Sequence, residues 1–219
     1  MEGGKDYTDI RLQFLIALIP EGHETTAVAV KWTLYLIGLY PEVQEKIHHE
    51  LDSVLGTDSK DPLSLVDLNE LKYLECVLKE CNRIYPPAPA IIKKISKDIS
   101  ISGHTIPKRT HIIVAPFFLH RDEDVFPDPE KFDPERFLPE NSAHFPECAY
   151  IPFAAGPRDC IGRVFAEMEV KILVCHILRS FSLHSLDSRD QVLPNHQNQS
   201  PIVSTRPHQV STQATVNDF

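Results

Sequence analysis

The sequence lacks an uninterrupted apolar run long enough to cross a bilayer. A spanning helix needs about 18 or more consecutive apolar residues, and the longest apolar stretch, residues 10–39, is broken at its centre by polar and charged side chains. The first nine residues are polar as well, which excludes a signal peptide or an anchor there. We therefore expect no membrane span in these 219 residues.

The sequence also lacks an excess of positive charge and paired cysteines. It has 22 Lys and Arg against 31 Asp and Glu, a net charge of −9, which argues against nucleic acid as a partner. Its five cysteines are odd in number and have no paired spacing, which is typical of a reducing compartment. Cys76, Cys81 and Cys175 lie in predicted helices and are interpreted as packing residues.

Apolar residues are plentiful and recur with a helical period. They make up 42% of the chain, enough for a sizeable core. The pattern predicts long helices over residues 9–40, 71–85 and 161–180, and a small hairpin-rich sheet between residues 99 and 114. Frequent prolines in residues 116–152 and polar residues in 187–219 predict irregular structure and a polar tail. The predicted fold is mainly α with a small β-sheet.

One loop carries the strongest chemical signal. Residues 153–162 read Phe-Ala-Ala-Gly-Pro-Arg-Asp-Cys-Ile-Gly and lead into the last predicted helix. The amino terminus of that helix and the guanidinium of Arg158 favour a thiolate at Cys160, and thiolates bind soft metals. Gly156 and Gly162 allow a flat cofactor to come close to the backbone. The alternative is a buried cysteine that serves only packing.

This loop resembles the haem-binding loop of the cytochrome P-450 monooxygenases at five positions, namely Phe153, Gly156, Arg158, Cys160 and Gly162. The resemblance implies haem b as the cofactor and Cys160 as the ligand to its iron. It extends over residues 9–207 and implies the carboxy-terminal half of the cytochrome P-450 fold, so that residues 1–219 form a partial domain. Residues 9–40 are then the oxygen-side helix.

The resemblance also implies two partners for the haem propionates. Arg158 is the better one, because it lies in the loop itself. Lys93 stands where the family commonly has an arginine. Its ammonium is a point charge and cannot bind a carboxylate through two parallel hydrogen bonds as a guanidinium does, which lowers the specificity of its contact with a propionate. An ordinary surface position is the alternative for Lys93.

A charge cluster is implied on the predicted helix 71–85. Glu80 and Arg83 are three residues apart and share one face of it. Taken alone, such a pair is a solvated salt bridge that contributes little. The resemblance adds Arg136, from the segment Pro-Glu-Arg-Phe, and implies a buried cluster of the three that fixes the irregular segment below the haem. This role is structural and not catalytic.

Residues 20–26, Pro-Glu-Gly-His-Glu-Thr-Thr, place polar groups inside an apolar helix. Gly22 and the threonine hydroxyls can open the helix locally, so that the segment read alone predicts a kink. The segment resembles the family's Gly-x-Glu-Thr-Thr motif, which implies that Glu24 and Thr25 relay protons to dioxygen.

Glu21 narrows the resemblance to family four, the fatty-acid hydroxylating branch. Glutamate often precedes the glycine there and can form an ester with a haem methyl. A glutamate that merely lies near the haem edge is the alternative. Pro20 departs from the aromatic residue of that branch.

Three functions follow from the resemblance. The first is a haem-thiolate monooxygenase that inserts one oxygen atom of O2 into a fatty acid or a related lipid. Its electrons come from a flavoprotein NADPH-cytochrome reductase that docks near Lys131, Arg163 and Lys171. The second is a haem-thiolate isomerase without a reductase, against which Glu24 and Thr25 argue. The third is a truncated, inactive fragment. The full-length parent is expected on the cytosolic face of the endoplasmic reticulum membrane, attached through a part that this chain does not carry.

Overall fold

The computed structural model describes residues 7–56, 62–191, 202–205 and 214–215, with side chains for residues 19–56 and 62–190. The chain divides into two compact units, one with the residues up to Leu74 and from Gly162 onward, the other with Glu75–Ile161. The helices are α1 (Tyr7–Leu39), α2 (Pro41–Leu55), α3 (Leu65–Glu70), α4 (Lys72–Ile84), α5 (Pro116–Leu119), α6 (Pro139–Ser142) and α7 (Arg163–Ser180). The strands are β1 (Ile91–Lys94), β2 (Ile99–Ile101), β3 (His104–Ile106), β4 (His111–Val114), β5 (Ser182–Ser185), β6 (Ile202–Thr205) and β7 (Ala214–Thr215). The predicted fold class, mainly α with small sheets, is confirmed.

In the first unit, α1 packs closely against β5. A Cβ on Gly38 would lie 2.8 Å from the hydroxyl of Ser185, so only glycine permits this approach. That hydroxyl donates to the carbonyl of Tyr35 at 2.7 Å. Gln44 joins α2 to the same strand, because its amide both donates to and accepts from the backbone of Leu183, at 2.9 and 2.6 Å. The core side chains without any exposure include Leu36, Ile37, Ile47, Val174 and Cys175.

Helix α4 begins in the first unit, where a side chain from α2 satisfies its free amides. The carboxylate of Glu50 accepts from the backbone N–H groups of Tyr73 and Leu74, at 2.6 and 2.9 Å. The first amides of a helix have no partner within it, so this carboxylate caps α4 from a distance of more than twenty residues along the chain.

The second unit contains two small antiparallel sheets, one of β1 and β4 and one of β2 and β3. The β2–β3 turn consists of Ser102 and Gly103, both with positive φ, 49° and 81°, as a tight turn between right-twisted strands requires. Residues 116–152 form only short helical turns, among them a 3-10 turn at Pro134–Phe137. Phe126 and Phe137 of this segment form a core with Cys76 of α4, and Val125, Leu138, Phe145 and Tyr150 pack against it.

Helix α1 continues through Pro20 and Gly22, so these residues do not end it. One feature differs from the sequence-based expectations. Within the predicted polar tail, β6 pairs with β5 and β7 pairs with β6. The segment Ile-Val-Ser-Thr of β6 is too short for its alternation to stand out from a polar background. The rest of the tail after residue 191 lies outside the described residues.

None of the helices in the described part of the chain is both long and apolar enough to span a membrane.

Candidate haem site

The loop around Cys160 is closed by its own backbone. The amide of Cys160 donates to the carbonyl of Phe153 at 3.0 Å, which brings the cysteine back to the start of the loop. Gly156 has a φ of 86° and Ala154 one of 63°, and both values lie in the left-handed region that favours glycine. A Cβ built on Gly156 would find no atom within 4 Å, so this edge of the loop faces open space.

Cys160 differs from the buried cysteines. Its thiol is exposed and free, whereas Cys76, Cys81 and Cys175 are buried. Burial raises the pKa of the Cys175 thiol to about 12, so that thiol stays protonated and serves packing. Among the described side chains, no three His, Cys, Asp or Glu converge on a possible metal position. The exposed thiol of Cys160 beside open space fits a haem, whose porphyrin would supply further ligands to the iron.

Lys93 lies at this loop. Its ammonium donates to the carbonyl of Ala155 at 3.2 Å, so β1 holds the loop one residue before Gly156. Arg158 is exposed beyond the turn. The ammonium that the resemblance assigns to a propionate is thus already bound to a backbone carbonyl of the loop.

The structure brings Glu80, Arg83 and Arg136 together. Arg83 contacts Glu80 through Nε at 2.7 Å and Nη2 at 2.9 Å, and both side chains are fully buried. The Nε of Arg136 lies 3.5 Å from Oε1 of Glu80, an ion-pair contact in which this nitrogen makes no hydrogen bond. Its Nη2 instead donates to the carbonyl of Asp128 at 2.9 Å.

The cluster also fixes the irregular backbone of the second unit. Arg83 donates to the carbonyls of His120 and Lys131, at 2.8 and 3.2 Å. Glu80 accepts from the amide of Asp133 at 2.9 Å. Two helical side chains thus bind backbone groups at three positions between residues 120 and 133, a segment whose own backbone hydrogen bonds form only short turns.

On α1, the polar side chains in and before the Gly-x-Glu-Thr-Thr motif face solvent, with one exception. Glu21, Glu24 and Thr25 are exposed, while Thr26 is buried. The hydroxyl of Thr25 donates to the carbonyl of Glu21 at 2.6 Å, one helical turn earlier. Such back-bonding by threonine often bends a helix without ending it. These residues belong to the first unit and Cys160 to the second.

Comparison with known proteins identifies the family to which the chain belongs. A family model described as Cytochrome P450 matches residues 3–212 of the chain. The chain belongs to the cytochrome P450 family. It is 47% identical to "Cytochrome P450 4V2" of Rattus norvegicus over 192 residues, which are 87% of this chain and 36% of the relative. It is 42% identical to "Cytochrome P450 4c3" of Drosophila melanogaster over 172 residues, which are 78% of this chain and 32% of the relative.

The chain thus spans about a third of the length of the curated P450 relatives that it matches. These relatives carry family 4 names, as Glu21 before the Gly-x-Glu-Thr-Thr segment led us to expect.

The prediction that Lys171 contributes to a reductase-docking surface is wrong. Lys171 was expected beside the reductase, but its side chain is only 8% exposed on α7, because its position on the helix faces the core. Lys131 and Arg163 are exposed, and each is paired with a neighbouring carboxylate, of Asp133 at 3.1 Å and of Glu167 at 3.4 Å.

Sequence reasoning also missed His120. It is fully buried, and its Nε2 accepts a hydrogen bond from the amide of Ile151 at 2.9 Å, 31 residues further along the chain. No spacing rule connects two such distant positions in irregular segments, because only helices and strands impose a period.

Proposed function

We propose that the full-length protein containing this sequence is a haem-thiolate monooxygenase that inserts one oxygen atom of O2 into an apolar substrate. The exposed thiol of Cys160, held in a self-closed loop beside open space, is the observation that carries the proposal. A haem held by the thiolate of Cys160 would supply oxygen activation, since a thiolate ligand favours cleavage of the O–O bond. Membership of the P450 family supports the same chemistry.

The loop residues would hold the cofactor in distinct ways. Cys160 provides the thiolate, and Phe153 receives its amide hydrogen bond at 3.0 Å. Gly156 and Gly162 leave space for the ring, because neither carries a Cβ. The exposed Arg158 provides a fork of donors for a propionate carboxylate.

Lys93 would serve the propionate edge as well. Its ammonium has three donors, and one of them binds the carbonyl of Ala155. The remaining donors are available for a carboxylate, so Lys93 can bind the loop and a propionate together.

Glu24 and Thr25 would move protons to dioxygen. The hydroxyl oxygen of Thr25 keeps its acceptor lone pairs while its proton binds the carbonyl of Glu21. It can therefore accept a hydrogen bond from water, and rotation of the hydroxyl frees its proton for delivery. Both side chains are exposed on α1, where solvent can resupply the protons.

A fatty acid or a related lipid is the proposed substrate class, as the resemblance of the Glu21 segment to the fatty-acid hydroxylating branch implies. In this branch Glu21 would form an ester with the haem. If it does, acidified organic solvent will not extract the porphyrin from the active enzyme, and Glu21→Ala will restore extraction. Complete release of porphyrin from the unsubstituted enzyme after turnover would exclude the ester.

The proposed electron donor is a flavoprotein NADPH-cytochrome reductase, and the proposed location is the cytosolic face of the endoplasmic reticulum membrane. Lys131 and Arg163 are exposed cations that an acidic reductase surface can approach. Their pairing with Asp133 and Glu167 lowers the charge that each offers.

The experiment that tests the proposal asks whether Cys160 is the ligand to the haem iron. In the full-length protein, Cys160→Ser should abolish the thiolate-type absorption of the reduced carbon monoxide complex, because a serine hydroxyl stays protonated at neutral pH. Cys148→Ser is the matched control, since Cys148 is also exposed and free. Retention of the thiolate spectrum in Cys160→Ser would overturn the proposal.

A further inference from the structure

His120 is a buried polar side chain that the proposed chemistry does not use. Its ring lies between the rings of Tyr150 and Phe126, with centroid distances of 5.2 and 6.4 Å. Its Nε2 accepts from the amide of Ile151 at 2.9 Å. Ile151 comes two residues before Phe153, so this contact fixes the backbone where the Cys160 loop begins.

The ring is held in one protonation state. Because Nε2 accepts a hydrogen bond, the proton of the neutral imidazole must be on Nδ1. Burial, together with the charges of Arg83 and Arg121, lowers the pKa of His120 to about 4, so the ring is neutral near pH 7. Nδ1 is buried and has no hydrogen-bond partner among the described residues.

Packing alone does not account for a histidine here. A phenylalanine would fill the same aromatic space without leaving a buried N–H unpaired, which is unfavourable. The imidazole provides one thing that phenylalanine cannot, an acceptor for the amide of Ile151. The free-energy cost of the unpaired N–H at Nδ1 is therefore offset by the hydrogen bond that Nε2 accepts from Ile151.

His120 also connects the charge cluster to the cysteine loop. Its carbonyl accepts from Nη1 of Arg83 at 2.8 Å, and its ring accepts from Ile151. Two residues later, the carbonyl of Phe153 accepts from the amide of Cys160 at 3.0 Å. All of these contacts lie within the unit Glu75–Ile161.

We propose that His120 is a positioning residue for Cys160, because its Nε2 holds the start of the loop that closes on the cysteine amide. Lys93 does not replace it, since that contact lies at Ala155, on the far side of Phe153. The inference rests on the proposed function only where it concerns the thiolate as a haem ligand.

The experiment compares three substitutions in the full-length holoprotein. His120→Gln places an amide oxygen at the same number of bonds from Cβ as Nε2 and keeps an acceptor. His120→Phe keeps the ring and removes the acceptor, and His120→Asn places its oxygen nearer Nδ1. Two quantities are measured for each, the hydrogen-exchange rate of the Ile151 amide and the thiolate-type share of the reduced carbon monoxide spectrum.

We expect exchange at Ile151 to be at least tenfold faster in His120→Phe and His120→Asn, with a smaller thiolate-type share, and both to be near wild type in His120→Gln. The amide of Tyr85, which donates to Cys81 at 2.8 Å, is the internal reference and should not change. Val77→Ala, a fully buried position on α4, controls for general destabilisation and should leave both quantities unchanged.

Unchanged exchange and spectrum in His120→Phe would overturn the inference, and so would an equal loss in His120→Gln. If His120→Phe does not fold, the comparison of His120→Asn with His120→Gln decides, and equal values would overturn it. Failure of the proposed function is distinguishable, because a wild-type protein without a thiolate spectrum would still show whether His120 protects the Ile151 amide.

Discussion

Arg83 binds Glu80 through two contacts, from Nε to Oε2 at 2.7 Å and from Nη2 to Oε1 at 2.9 Å, and neither side chain has any solvent exposure. The planar guanidinium matches the carboxylate in a way that an ammonium cannot. Removing one partner of a buried pair leaves the other charge uncompensated, and this costs more than the pair itself contributes.

Arg83→Met should therefore destabilise the full-length protein by about 3–5 kcal/mol, because buried Glu80 would lose both contacts with Arg83 and keep only the amide of Asp133 and the longer contact with Arg136. It would also release the carbonyls of His120 and Lys131. The measurement is denaturant unfolding, together with the amount of haem that copurifies with the protein. A loss below 1 kcal/mol, as expected for an exposed pair, would contradict the buried arrangement.

The same helix offers a matched control. Lys79 pairs with Glu75 at 2.7 Å, and both side chains are substantially exposed. Lys79→Ala should cost about 0.5 kcal/mol or less, because water compensates both charges. The difference between the two substitutions isolates the effect of burial from that of pairing.

The pairing on α4 could be predicted from the sequence, because a helical period places residues three apart on one face. The burial of the pair came only from the family resemblance. The contact of His120 with Ile151 could not be predicted, since both residues lie in irregular segments without a period. The same holds for the carboxylate of Glu50 at the start of α4, which depends on how two helices meet.

His120 also predicts a pH dependence of stability. Its pKa is lowered to about 4 in the folded protein, against about 6.5 for a histidine in an unfolded chain. Between these two pH values the unfolded chain binds more protons than the folded protein. The contribution of neutral His120 to stability is therefore complete above pH 6.5 and is lost as the pH falls toward 4. The loss should approach about 3 kcal/mol at the lower end.

The measurement is the free energy of unfolding at several pH values for wild type and His120→Gln. Carboxylates titrate over part of the same range and contribute to both curves, so the difference between the curves isolates His120. We expect the wild-type curve to fall more steeply from pH 6.5 to 4. Parallel curves over that range would contradict a neutral, buried imidazole.

Glu24 and Thr25 predict a change in coupling. In the full-length enzyme, Glu24→Gln and Thr25→Ala should slow product formation on the order of 100-fold and divert reducing equivalents to peroxide, because proton delivery fails. Thr25→Ser is the matched control, since it keeps the hydroxyl that donates to Glu21. The ratio of product to NADPH consumed is the measurement, and wild-type coupling in both substitutions would remove their proposed role.

The last prediction concerns the 219 residues alone. The chain matches about a third of the length of its relatives, and several large apolar side chains remain open to solvent. Ile161 is 83% exposed beside the cysteine, Phe165 is 68% exposed on α7, and Ile19 is 69% exposed on α1. Exposed apolar surface of this kind is an aggregation hazard unless another segment covers it.

We therefore expect the chain expressed alone to be poorly soluble, to hold haem loosely or not at all, and to lack monooxygenase activity. A haem must be enclosed on both faces and at its propionate edge to exclude water and to hold the iron. The check is to purify the chain, add haem and reductase, and measure fatty-acid hydroxylation beside the full-length protein as the positive control. Turnover with a sharp thiolate-type spectrum would show that these residues suffice, and that the exposed apolar side chains need no further cover.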